Sequence, residues 1–374
     1  MEKSSEKIRV LEITHGLGSG GIETFVINIV KNLNKSKFDI DFCFSCDEKQ
    51  YQEDIVIKEG CKIYRTNDLE STKKIIKHFF KLIRILKSEK FDVVHSHCNF
   101  LNGINLLAAF ICGVPIRVSH SHTSNNNPCS SMKKMYRYIM KKLIHCFATN
   151  KIGCSLIANE YLYGNKDLGN TKVIYNGMDI NKFIDINKHR DLFKYPMIKK
   201  GSINFITIGR MHDQKNCLFI VKIMRELVAL NPNIHLFWAG KGELEDRIVH
   251  MIEEYNLNEH ITLLGVRNDI PELLSNMDFM IFPSKYEGLG IVCVEAQACG
   301  VHCFISDVIP KEANLGLCTI ISLKKNEKEW ANIIYNSIES KTYSKNFDEI
   351  KYGNYDIKKV TKAIENIYSE YNFI

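Results

Sequence analysis

Short runs of β-forming residues alternate with helical patterns along almost the whole 374-residue sequence, and this alternation limits the possible folds more than any other feature. Strands that alternate with helices indicate parallel sheets covered by helices on both faces. Apolar residues follow the first strand at helical spacing, namely Ile22, Phe25, Val26, Ile29, Val30 and Leu33. The predicted strands are Ile8–Thr14, Phe38–Phe44, Phe91–His95, Ile116–Ser119, Lys172–Tyr175, Ile203–Ile208, Ile234–Ala239, Ile261–Leu264, Phe279–Phe282 and Val301–Ile305.

The alternating series occurs twice. Five or six strand–helix units precede about Phe183, a polar and weakly patterned stretch follows, and a new series starts at Ile203. A chain of this length also exceeds one ordinary hydrophobic core. We therefore expect an α/β protein of two doubly wound domains, with residues 1–182 in the first domain and residues 183–354 in the second.

The composition is typical of a soluble globular protein, because 45% of the residues are hydrophobic and 25% are charged. The most apolar run, Ile104–Ile116, is too short to cross a bilayer, and the charged N-terminal residues do not resemble a signal peptide. The 13 cysteines are irregularly spaced, and Cys43-x-x-Cys46 has no second pair to complete a zinc site. We expect a cytoplasmic protein.

Positive charge is concentrated in the first half of the chain. Residues 1–180 carry 26 lysines and arginines against 18 acidic residues, whereas residues 181–374 carry 24 against 25. This difference indicates an anionic partner for the first half, although no nucleic-acid-binding motif is present. Two basic amphipathic stretches, Lys73–Lys90 and Met132–Phe147, fit either outer helices of a doubly wound domain or helices that lie on an anionic membrane.

A glycine-rich turn follows the first predicted strand. Gly16, Gly18 and Gly21 match G-x-G-x-x-G, the pattern of dinucleotide-binding proteins, and acidic residues follow about twenty positions later at Asp39, Asp41 and Asp47. The turn therefore permits an NAD-dependent oxidoreductase. It equally fits a backbone that approaches any diphosphate at a helix N-terminus, or a tight turn without a ligand.

Two histidine pairs, His95/His97 and His120/His122, lie at the ends of predicted strands, where ligands bind in open α/β sheets. Residues two apart on a strand face the same way, so the pairs permit a metal site. No carboxylate or cysteine lies at a ligand spacing from them, and we expect no metal there. Asp39-x-Asp41 resembles the metal-binding Asp-x-Asp of some glycosyltransferases, but it lies in plain strand alternation and is interpreted as structural.

The loops of the second half carry the strongest chemical signal. Gly209-Arg210 ends one strand, and Lys215 and Asn216 begin the next helix, which brings two cations and a helix dipole to one crevice. This combination suits the two phosphates of a leaving nucleoside diphosphate. The other strand-end loops contain Gly240-Lys241-Gly242, Gly265-x-Arg267-x-Asp269, and Pro283-Ser284-Lys285-Tyr286-Glu287-Gly288-Leu289-Gly290 followed by Glu295 one turn into a helix.

These residues together resemble the family 4 retaining glycosyltransferases of the GT-B fold. The resemblance covers nearly the whole chain in order, and Glu287-x7-Glu295 is its most specific part. The remaining matching motifs are Gly20-Gly21-Ile22-Glu23, His122-Thr123, Val173–Asp179, and Gly209-Arg210 with Gln214-Lys215-Asn216. The resemblance implies two Rossmann-like domains that face each other across a cleft, with a final helix, about Tyr355–Tyr371 within residues 355–374, crossing back to the first domain.

The resemblance also implies roles for individual residues. Arg210 and Lys215 would contact the donor phosphates, Glu295 the ribose, and Glu287 the transferred sugar. Gly20 and Gly21 would line the cleft, and His122 would lie beside the reacting sugar. The catalytic candidates are thus His122, Arg210, Lys215 and Glu287. The donor-binding candidates are Gly20, Gly21, Gly209, Arg210, Lys215, Arg267, Glu287, Gly288, Leu289, Gly290, Ile291 and Glu295.

The implied activity is transfer of a hexose, with retention and without a metal ion or other cofactor, from a UDP-linked donor to a saccharide or lipid-diphosphate-linked acceptor. The sequence resembles bacterial enzymes of capsule and exopolysaccharide assembly, which work at the inner face of the membrane. Two alternatives stay open, a nucleotide-sugar epimerase on the same scaffold and an oxidoreductase that uses the turn Gly16–Gly21. A noncatalytic binding subunit is a third, although Lys215 and Glu287 are both present.

Overall fold

A computed structural model describes residues 7–18, 20–67, 69, 71–125, 130–186, 198, 201–343 and 348–370. The chain forms two compact units. The first comprises Met1–Met178 and Asn354–Ile374, and the second comprises Asp179–Gly353. The divisions predicted from the sequence, after residues 182 and 354, lie four positions and one position further along the chain than these. Most of the polar stretch that precedes Ile203 lies outside the described residues.

The first unit is built on a parallel sheet of seven strands in the order β3-β2-β1-β4-β5-β6-β7. The strands are β1 (Ile8–Thr14), β2 (Phe38–Phe44), β3 (Ile63–Arg65), β4 (Val93–Ser96), β5 (Ile116–Ser121), β6 (Asn150–Gly153) and β7 (Lys172–Val173). The helices between them are α1 (Gly21–Asn32), α2 (Glu53–Lys58), α3 (Thr72–Glu89), α4 (Asn102–Ile111), α5 (Ser131–Phe147) and α6 (Leu156–Tyr163), with 3-10 turns at Asn99–Leu101 and Asn165–Asn170.

The second unit contains a parallel sheet of six strands in the order β10-β9-β8-β11-β12-β13. The strands are β8 (Ile203–Ile208), β9 (Ile234–Ala239), β10 (Ile261–Gly265), β11 (Phe279–Phe282), β12 (His302–Ser306) and β13 (Cys318–Ile321). Its helices are α7 (Ile180–Ile186), α8 (Cys217–Leu230), α9 (Glu245–Glu254), α10 (Ile270–Ser275), α11 (Ile291–Ala298), α12 (Glu327–Glu339) and α13 (Glu349–Tyr352), with 3-10 turns at Asp213–Lys215 and Lys311–Ala313.

The last helix of the chain belongs to the first unit. After a 3-10 turn at Gly353–Tyr355, helix α14 (Ile357–Tyr368) places Ile357, Val360, Ile364, Ile367 and Tyr368 in the same core as α1. Backbone hydrogen bonds join it to the end of the first series, from Met178 N to Tyr355 O at 2.9 Å and from Ile357 N to Met178 O at 3.0 Å. The predicted end of this helix at Tyr371 lies outside the described residues.

Three short strands, β3, β6 and β13, are missing from the sequence prediction. They have three or four residues each and only a few fully buried positions, so they lack the continuous apolar run that marks a central strand. The predicted ends of five other strands are shifted. Phe91–His95 corresponds to β4, Ile116–Ser119 extends to Ser121, Lys172–Tyr175 shortens to β7, Ile261–Leu264 extends to Gly265, and Val301–Ile305 moves one residue to β12.

Strand β1 shows why the central strands are apolar on both faces. Alternate side chains of a strand point to opposite faces of the sheet. Val10 accordingly packs among the side chains of α1 and α14, whereas Leu11 and Ile13 join the core cluster on the other face. Glu12 shares the face of Val10 and is buried, which is unusual for an acidic residue and makes its partners important for the site.

Among the described residues, no helix has both the length and the apolar character that are needed to cross a membrane.

Candidate active site

The loops that carry the second-unit motifs emerge at the switch point of the six-stranded sheet. Strands β8 and β11 are neighbours, although they are not consecutive in the sequence. The chain runs outward to β9 and β10 on one side and to β12 and β13 on the other, so a crevice opens beyond the carboxyl ends of β8 and β11. Ligands of open α/β sheets bind at such a switch point.

Lys215 and Glu287 meet in this crevice. Lys215 ends the 3-10 turn after β8, and its Nζ lies 2.7 Å from Oε1 of Glu287, which is buried in the loop after β11. The same Nζ lies 4.7 Å from the centre of the Phe282 ring. An ion pair and a cation–π contact therefore fix the lysine in place. Arg210 is exposed, and its charge acts on the Tyr286 phenol that precedes Glu287.

Hydrogen bonds join the loop after β8 to the loop after β11. Gln214 Nε2 donates to Tyr286 O at 3.0 Å, and Lys285 N donates to Gln214 O at 2.8 Å. Asn216 Nδ2 donates to Pro283 O at 3.2 Å. The sequence predicts that Asn216 begins the helix, but it lies just before α8, which starts at Cys217. Its side chain does not cap the helix, because it bonds to the neighbouring loop and its backbone is left-handed, with φ 56°. These contacts hold Lys215 and Glu287 together.

Glycines allow the strand-end loops to pack this closely. Gly209 has φ 146°, and a Cβ placed on it would lie 3.0 Å from Cε of Lys215. Gly240, with φ 141°, lies directly against the carbonyl of Gly209 and has no room for a side chain. Gly209 N donates to Ala239 O at 2.9 Å, and Gly240 N donates to Gly265 O at 2.7 Å. The loops after β8, β9 and β10 thus form one continuous layer.

The predicted sugar-binding amides lie at the start of α11. Gly290 precedes the helix in the left-handed region, with φ 83°, and Ile291 is its first residue. Gly288, Leu289 and Gly290 are buried. The first backbone N–H groups of a helix have no partner within the helix, and the helix dipole adds a partial positive charge there. This helix start therefore offers donors near Glu287.

Glu295 lies one turn into α11 and is partly exposed. Burial by its surroundings raises the pKa of its carboxyl group to about 7. In the described part of the chain, no side chain forms an ion pair or hydrogen bond with this carboxylate. A carboxylate that its surroundings bury needs a hydrogen-bond donor, and no structural serine or lysine among those residues supplies one to Glu295.

Arg267 follows β10 and is held by Asp269, which accepts from its Nε at 2.8 Å and from its terminal nitrogen at 2.6 Å. This two-point ion pair keeps the guanidinium in the loop that follows β10. The predicted residues of the second unit all lie on its strand-end loops or in helix α11. Those on the loops are Gly209, Arg210, Lys215, Arg267, Glu287, Gly288, Leu289 and Gly290, and those in α11 are Ile291 and Glu295.

The other candidates, Gly20, Gly21 and His122, lie in the first unit. Gly20 precedes α1 with an ordinary φ of −100°, and Gly21 is the first residue of that helix. Asp39 and Asp41 lie inside β2, and buried Asp41 pairs with Arg9 at 3.2 Å, so these two cannot act at the carboxyl end of the strand. The burial of Asp41 also departs from plain strand alternation, in which Asp39 and Asp41 would both face solvent.

The two histidine pairs come together around Glu12, which sequence reasoning overlooked. His97 Nε2 lies 2.7 Å from Glu12 Oε2, and His97 Nδ1 lies 2.8 Å from His122 Nε2. The Tyr368 hydroxyl donates to Glu12 Oε1 at 2.6 Å and lies 2.6 Å from His95 Nδ1. His95 Nε2 lies 3.1 Å from His120 Nδ1. We call these residues the histidine cluster: Glu12, His95, His97, His120, His122 and Tyr368.

Burial and mutual contact set the charges of this cluster. Burial lowers the pKa of His97 to about 4, and burial together with neighbouring imidazoles lowers the pKa of His120 and His122 well below its usual range. Burial alone would raise the pKa of Glu12, but the charge of His95 and the hydrogen bonds from His95 and His97 lower it overall. Glu12 is therefore a buried carboxylate surrounded by imidazoles.

A carboxylate therefore accompanies the histidines in the fold, although none lies at a ligand spacing from them in the sequence. Glu12 is 83 or more positions away in sequence, and β1 and β4 pair directly through Glu12 and His95. Nitrogen atoms of His95, His97 and His120 lie within 4.8 Å of one another, close enough for a metal ion. The sequence signal that could have revealed this cluster was Glu12 itself, a charged residue in the middle of an apolar strand.

Comparison with known proteins defines the class of protein. The model of "Glycosyltransferase Family 4" matches residues 19–182, and that of "Glycosyl transferases group 1" matches residues 189–349. EpsF of Bacillus subtilis (strain 168), named as a glycosyltransferase, is 30% identical over 377 residues, covering 98% of this chain and 97% of EpsF. The chain therefore belongs to the family 4 glycosyltransferases.

Two further relatives carry more specific names. The capsular polysaccharide biosynthesis glycosyltransferase CapH of Staphylococcus aureus is 28% identical over 374 residues, covering 96% of this chain and 98% of CapH. An Escherichia coli enzyme, named UDP-Gal:alpha-D-GlcNAc-diphosphoundecaprenol alpha-1,3-galactosyltransferase, is 30% identical over 278 residues, covering 71% of this chain and 68% of the relative. None of these relatives is named as an epimerase or an oxidoreductase.

Among solved structures, HepE of Anabaena in complex with UDP-glucose has a TM-score of 0.78 with 19% identity, and the match covers 97% of this chain and all of HepE. At this level of identity the likeness concerns the fold. The two parallel α/β sheets and this neighbour identify the fold as GT-B, as expected.

Proposed function

We propose that this glycosyltransferase moves a sugar from a UDP-linked donor to a saccharide carried on a lipid diphosphate, with retention at the anomeric carbon and without a metal ion. The polysaccharide would be a bacterial capsule or exopolysaccharide. The observation that carries this proposal is the meeting of Lys215 and Glu287 at the switch point, beside the start of α11.

The cations of this crevice suit the charge that develops as UDP leaves. Lys215 is held by Glu287 and Phe282, and Arg210 projects from the same loop into solvent. Fixed cations and helix N–H groups stabilise a departing diphosphate without reorganising, which is the work a divalent ion does in other enzymes. We therefore assign Arg210 and Lys215 to the diphosphate, with Arg267 in the adjoining loop.

The acidic residues suit the uncharged parts of the donor. Glu287 would accept hydrogen bonds from hydroxyls of the transferred sugar, while the amides of Gly288–Ile291 donate to it. Glu295 lacks a hydrogen-bonded partner in the described part of the chain, and we assign it to the ribose hydroxyls. In the first unit, Gly20, Gly21 and His122 would contact the reacting sugar and its acceptor.

Retention is proposed to proceed with attack and departure on the same face of the sugar. Glu287 directly precedes the amide donors in the sequence, and Lys215 already engages its Oε1 at 2.7 Å. An ion-paired carboxylate is a poorer nucleophile, so a covalent sugar–enzyme intermediate on Glu287 is disfavoured. The departing phosphate itself would then take the proton of the attacking hydroxyl.

The relatives support the choice of substrates. HepE has been solved with UDP-glucose bound, the E. coli relative is named for transfer of Gal from UDP-Gal to a diphosphoundecaprenol-linked GlcNAc, and CapH is named for capsular polysaccharide biosynthesis. These names favour UDP over other nucleotides and a lipid-linked acceptor over a free sugar.

Helix α5 is our candidate for contact with the membrane that holds such an acceptor. Its exposed apolar residues Met132, Met135 and Ile139 recur at helical spacing, and Met132 is 84% exposed. Lys133, Lys134 and Lys142 are exposed beside them. Apolar residues flanked by lysines on one helix are the pattern of a helix that lies on an anionic membrane.

A screen of UDP-sugars for protein-dependent UDP release tests the activity. We expect release with one or a few UDP-sugars, stimulation by a diphosphoundecaprenol-linked saccharide, full rate in excess EDTA, and an anomeric configuration of the product, read by NMR, that matches the donor. Glu287→Gln in parallel should lose turnover. A strict requirement for a divalent ion, or an inverted product, would overturn the corresponding part of the proposal.

Sedimentation with vesicles tests the membrane surface. Replacement of Lys133, Lys134, Lys141 and Lys142 by glutamine should weaken binding to vesicles that contain anionic lipid. The matched control replaces four lysines of α3, a helix of similar charge, namely Lys73, Lys74, Lys77 and Lys87. Equal losses from both helices would indicate general electrostatic attraction, and no loss from α5 would leave it an ordinary outer helix.

A further inference from the structure

The hydrogen bonds of the histidine cluster determine where the protons lie on His97 and His122. An ionised carboxylate can only accept, so the proton of His97 lies on Nε2, 2.7 Å from Glu12 Oε2. His97 is neutral near pH 7 because its pKa is lowered to about 4, and its Nδ1 is therefore an acceptor. His122 Nε2, at 2.8 Å from that atom, must then donate.

This chain of hydrogen bonds leaves Nδ1 of His122 without a proton. Nδ1 is buried and has no hydrogen-bond partner among the residues that the structure describes. Asn176 lies beside the same ring, and a hydrogen bond from a protonated ring to Asn176 would raise the pKa of His122, but burial and the neighbouring imidazoles outweigh this effect and lower the pKa. With Nδ1 unprotonated, Asn176 Oδ1 also lacks a donor in the described part of the chain. Two neighbouring acceptors without a donor are costly when buried, and a hydroxyl group is the simplest donor that would satisfy them.

We propose that Glu12 and His97 are positioning residues that hold His122 with Nδ1 unprotonated, so that Nδ1 accepts a hydrogen bond from a hydroxyl group of a bound sugar. The inference rests on the proposed function, because the hydroxyl would belong to the glycosyl donor or to the saccharide acceptor. His122 would touch the substrate, and Glu12 would act on it only through His97.

Two chains of hydrogen bonds start at Glu12, and we call them arms: one leads through His97 to His122, and the other starts at Tyr368 and provides a matched control. Tyr368 donates to the second oxygen of Glu12, and His95 and His120 continue from it. In the described structure this arm makes no hydrogen bond to His122. Tyr368→Phe therefore removes a buried hydrogen bond from Glu12 while leaving the Glu12–His97–His122 arm in place.

The tautomers can be measured without any substrate. Heteronuclear NMR of protein with isotope-labelled histidine distinguishes a protonated from an unprotonated ring nitrogen, and His122→Gln identifies the His122 signals by their loss. We expect His97 and His122 both to carry the proton on Nε2. A proton on Nδ1 of His122, or zinc retained by His95, His97 and His120 after dialysis against chelator, would overturn the proposal.

Turnover then tests the consequence. Glu12→Gln removes the charge, and we expect kcat to fall at least about tenfold with UDP affinity unchanged, as for loss of a proton-positioning group. Tyr368→Phe should stay within about threefold of the wild type, as expected when the arm that reaches His122 is intact. Equal losses in the two variants would show a structural role only and would overturn the proposal.

A double variant separates positioning from a general effect on the fold. If Glu12 acts through His122, then Glu12→Gln added to His122→Gln lowers kcat little further, whereas independent effects multiply. Multiplying effects would overturn the inference. If Glu12→Gln does not fold, His97→Gln takes its place in the same cycle.

Two more comparisons locate the hydroxyl. If the donor supplies it, Glu12→Gln also slows hydrolysis of the UDP-sugar without an acceptor; if the acceptor supplies it, only transfer slows. Should no UDP-sugar be turned over at all, the proposed function fails, but the tautomer of His122 remains measurable and still decides whether Glu12 and His97 set it.

Discussion

The two units place their chemically active side chains in different ways. In the first unit, Glu12 and His95 lie on central strands and are buried under α1 and α14. In the second unit, Arg210 and Lys215 lie on loops beyond the strand ends, and Arg210 is exposed. Both sets lie near the switch point of a parallel sheet, but one is inside the core and the other on top of it.

The contrast between buried and loop positions corresponds to two ways of holding a reactive side chain in a fixed position. A buried network is fixed by packing, so each proton position follows from the neighbours along its own chain of hydrogen bonds. A loop site is fixed by a few ion pairs and backbone hydrogen bonds, such as Lys215 to Glu287, that a ligand can exchange for its own contacts. The first arrangement suits a constant geometry, and the second suits repeated binding and release.

Loss of Lys215 should give the largest effect. Lys215→Ala removes a fixed cation at the departing diphosphate, and kcat should fall by roughly two orders of magnitude or more while the fold persists. Lys285→Ala is the matched control, because Lys285 pairs with Asp213 at the surface of the same loops. Steady-state kinetics measure kcat of both variants, and a thermal melt tests whether each variant keeps its fold. Wild-type turnover without Lys215 would remove it from the phosphate site and weaken the contrast between the units.

Glycine substitutions should affect stability unequally in the two units. Gly240→Ala places a Cβ against the carbonyl of Gly209 at a φ of 141°, and the free energy of unfolding should fall by about 2–4 kcal/mol. Gly20→Ala has an ordinary φ and meets only the flexible end of Glu23, so its loss should be about 1 kcal/mol or less. Denaturant unfolding measures both. A larger loss at Gly20 would contradict this account.

The pH dependence of UDP binding should give the smallest effect. The pKa of Glu295 is about 7, and only its carboxylate form accepts two ribose hydroxyls, so affinity should fall as the pH falls below 7, by at most about tenfold per unit. Calorimetry with Glu295→Gln in parallel corrects for titration of UDP itself. If both proteins show the same pH dependence, Glu295 does not bind the ribose as a carboxylate.

Titration of Glu295 should change the free energy of unfolding in the opposite direction to UDP affinity as the pH rises. A raised pKa means that the folded protein holds this proton at pH values where the unfolded chain, whose glutamate has its ordinary pKa of 4.5, has lost it. The contribution of Glu295 to the free energy of unfolding therefore decreases as the pH rises from about 4.5 to about 7. Glu295→Gln should flatten that part of the stability profile.

The sequence was sufficient for the fold and for the loops of the second unit. The central strands are apolar on both faces and therefore stand out, and Glu287 and Glu295 lie close together in one segment. Lys215 is distant from them, but each segment contains enough local pattern to be assigned to a strand end by itself. The short edge strands β3 and β13 were missed because partly exposed strands carry little pattern.

The histidine cluster could not be predicted in the same way. Its members come from β1, β4, β5 and α14, and their contacts depend on strand register, which a single sequence does not specify. Tyr368 is 356 positions from Glu12, so no local spacing connects them. Glu12 offered the one usable hint, because a charge in a strand that is covered on both faces needs a partner.

The return of α14 to the first unit has a consequence for biosynthesis. While residues 1–178 leave the ribosome, the sheet of the first unit can form, but Glu12 lacks the Tyr368 hydroxyl and the surface of α1 lacks Ile364 and Ile367. That unit must therefore wait, with an uncovered apolar surface, while the whole second unit is translated. Its final packing is a late event in the life of the nascent chain, and truncated products would expose the surface that chaperones and proteases bind.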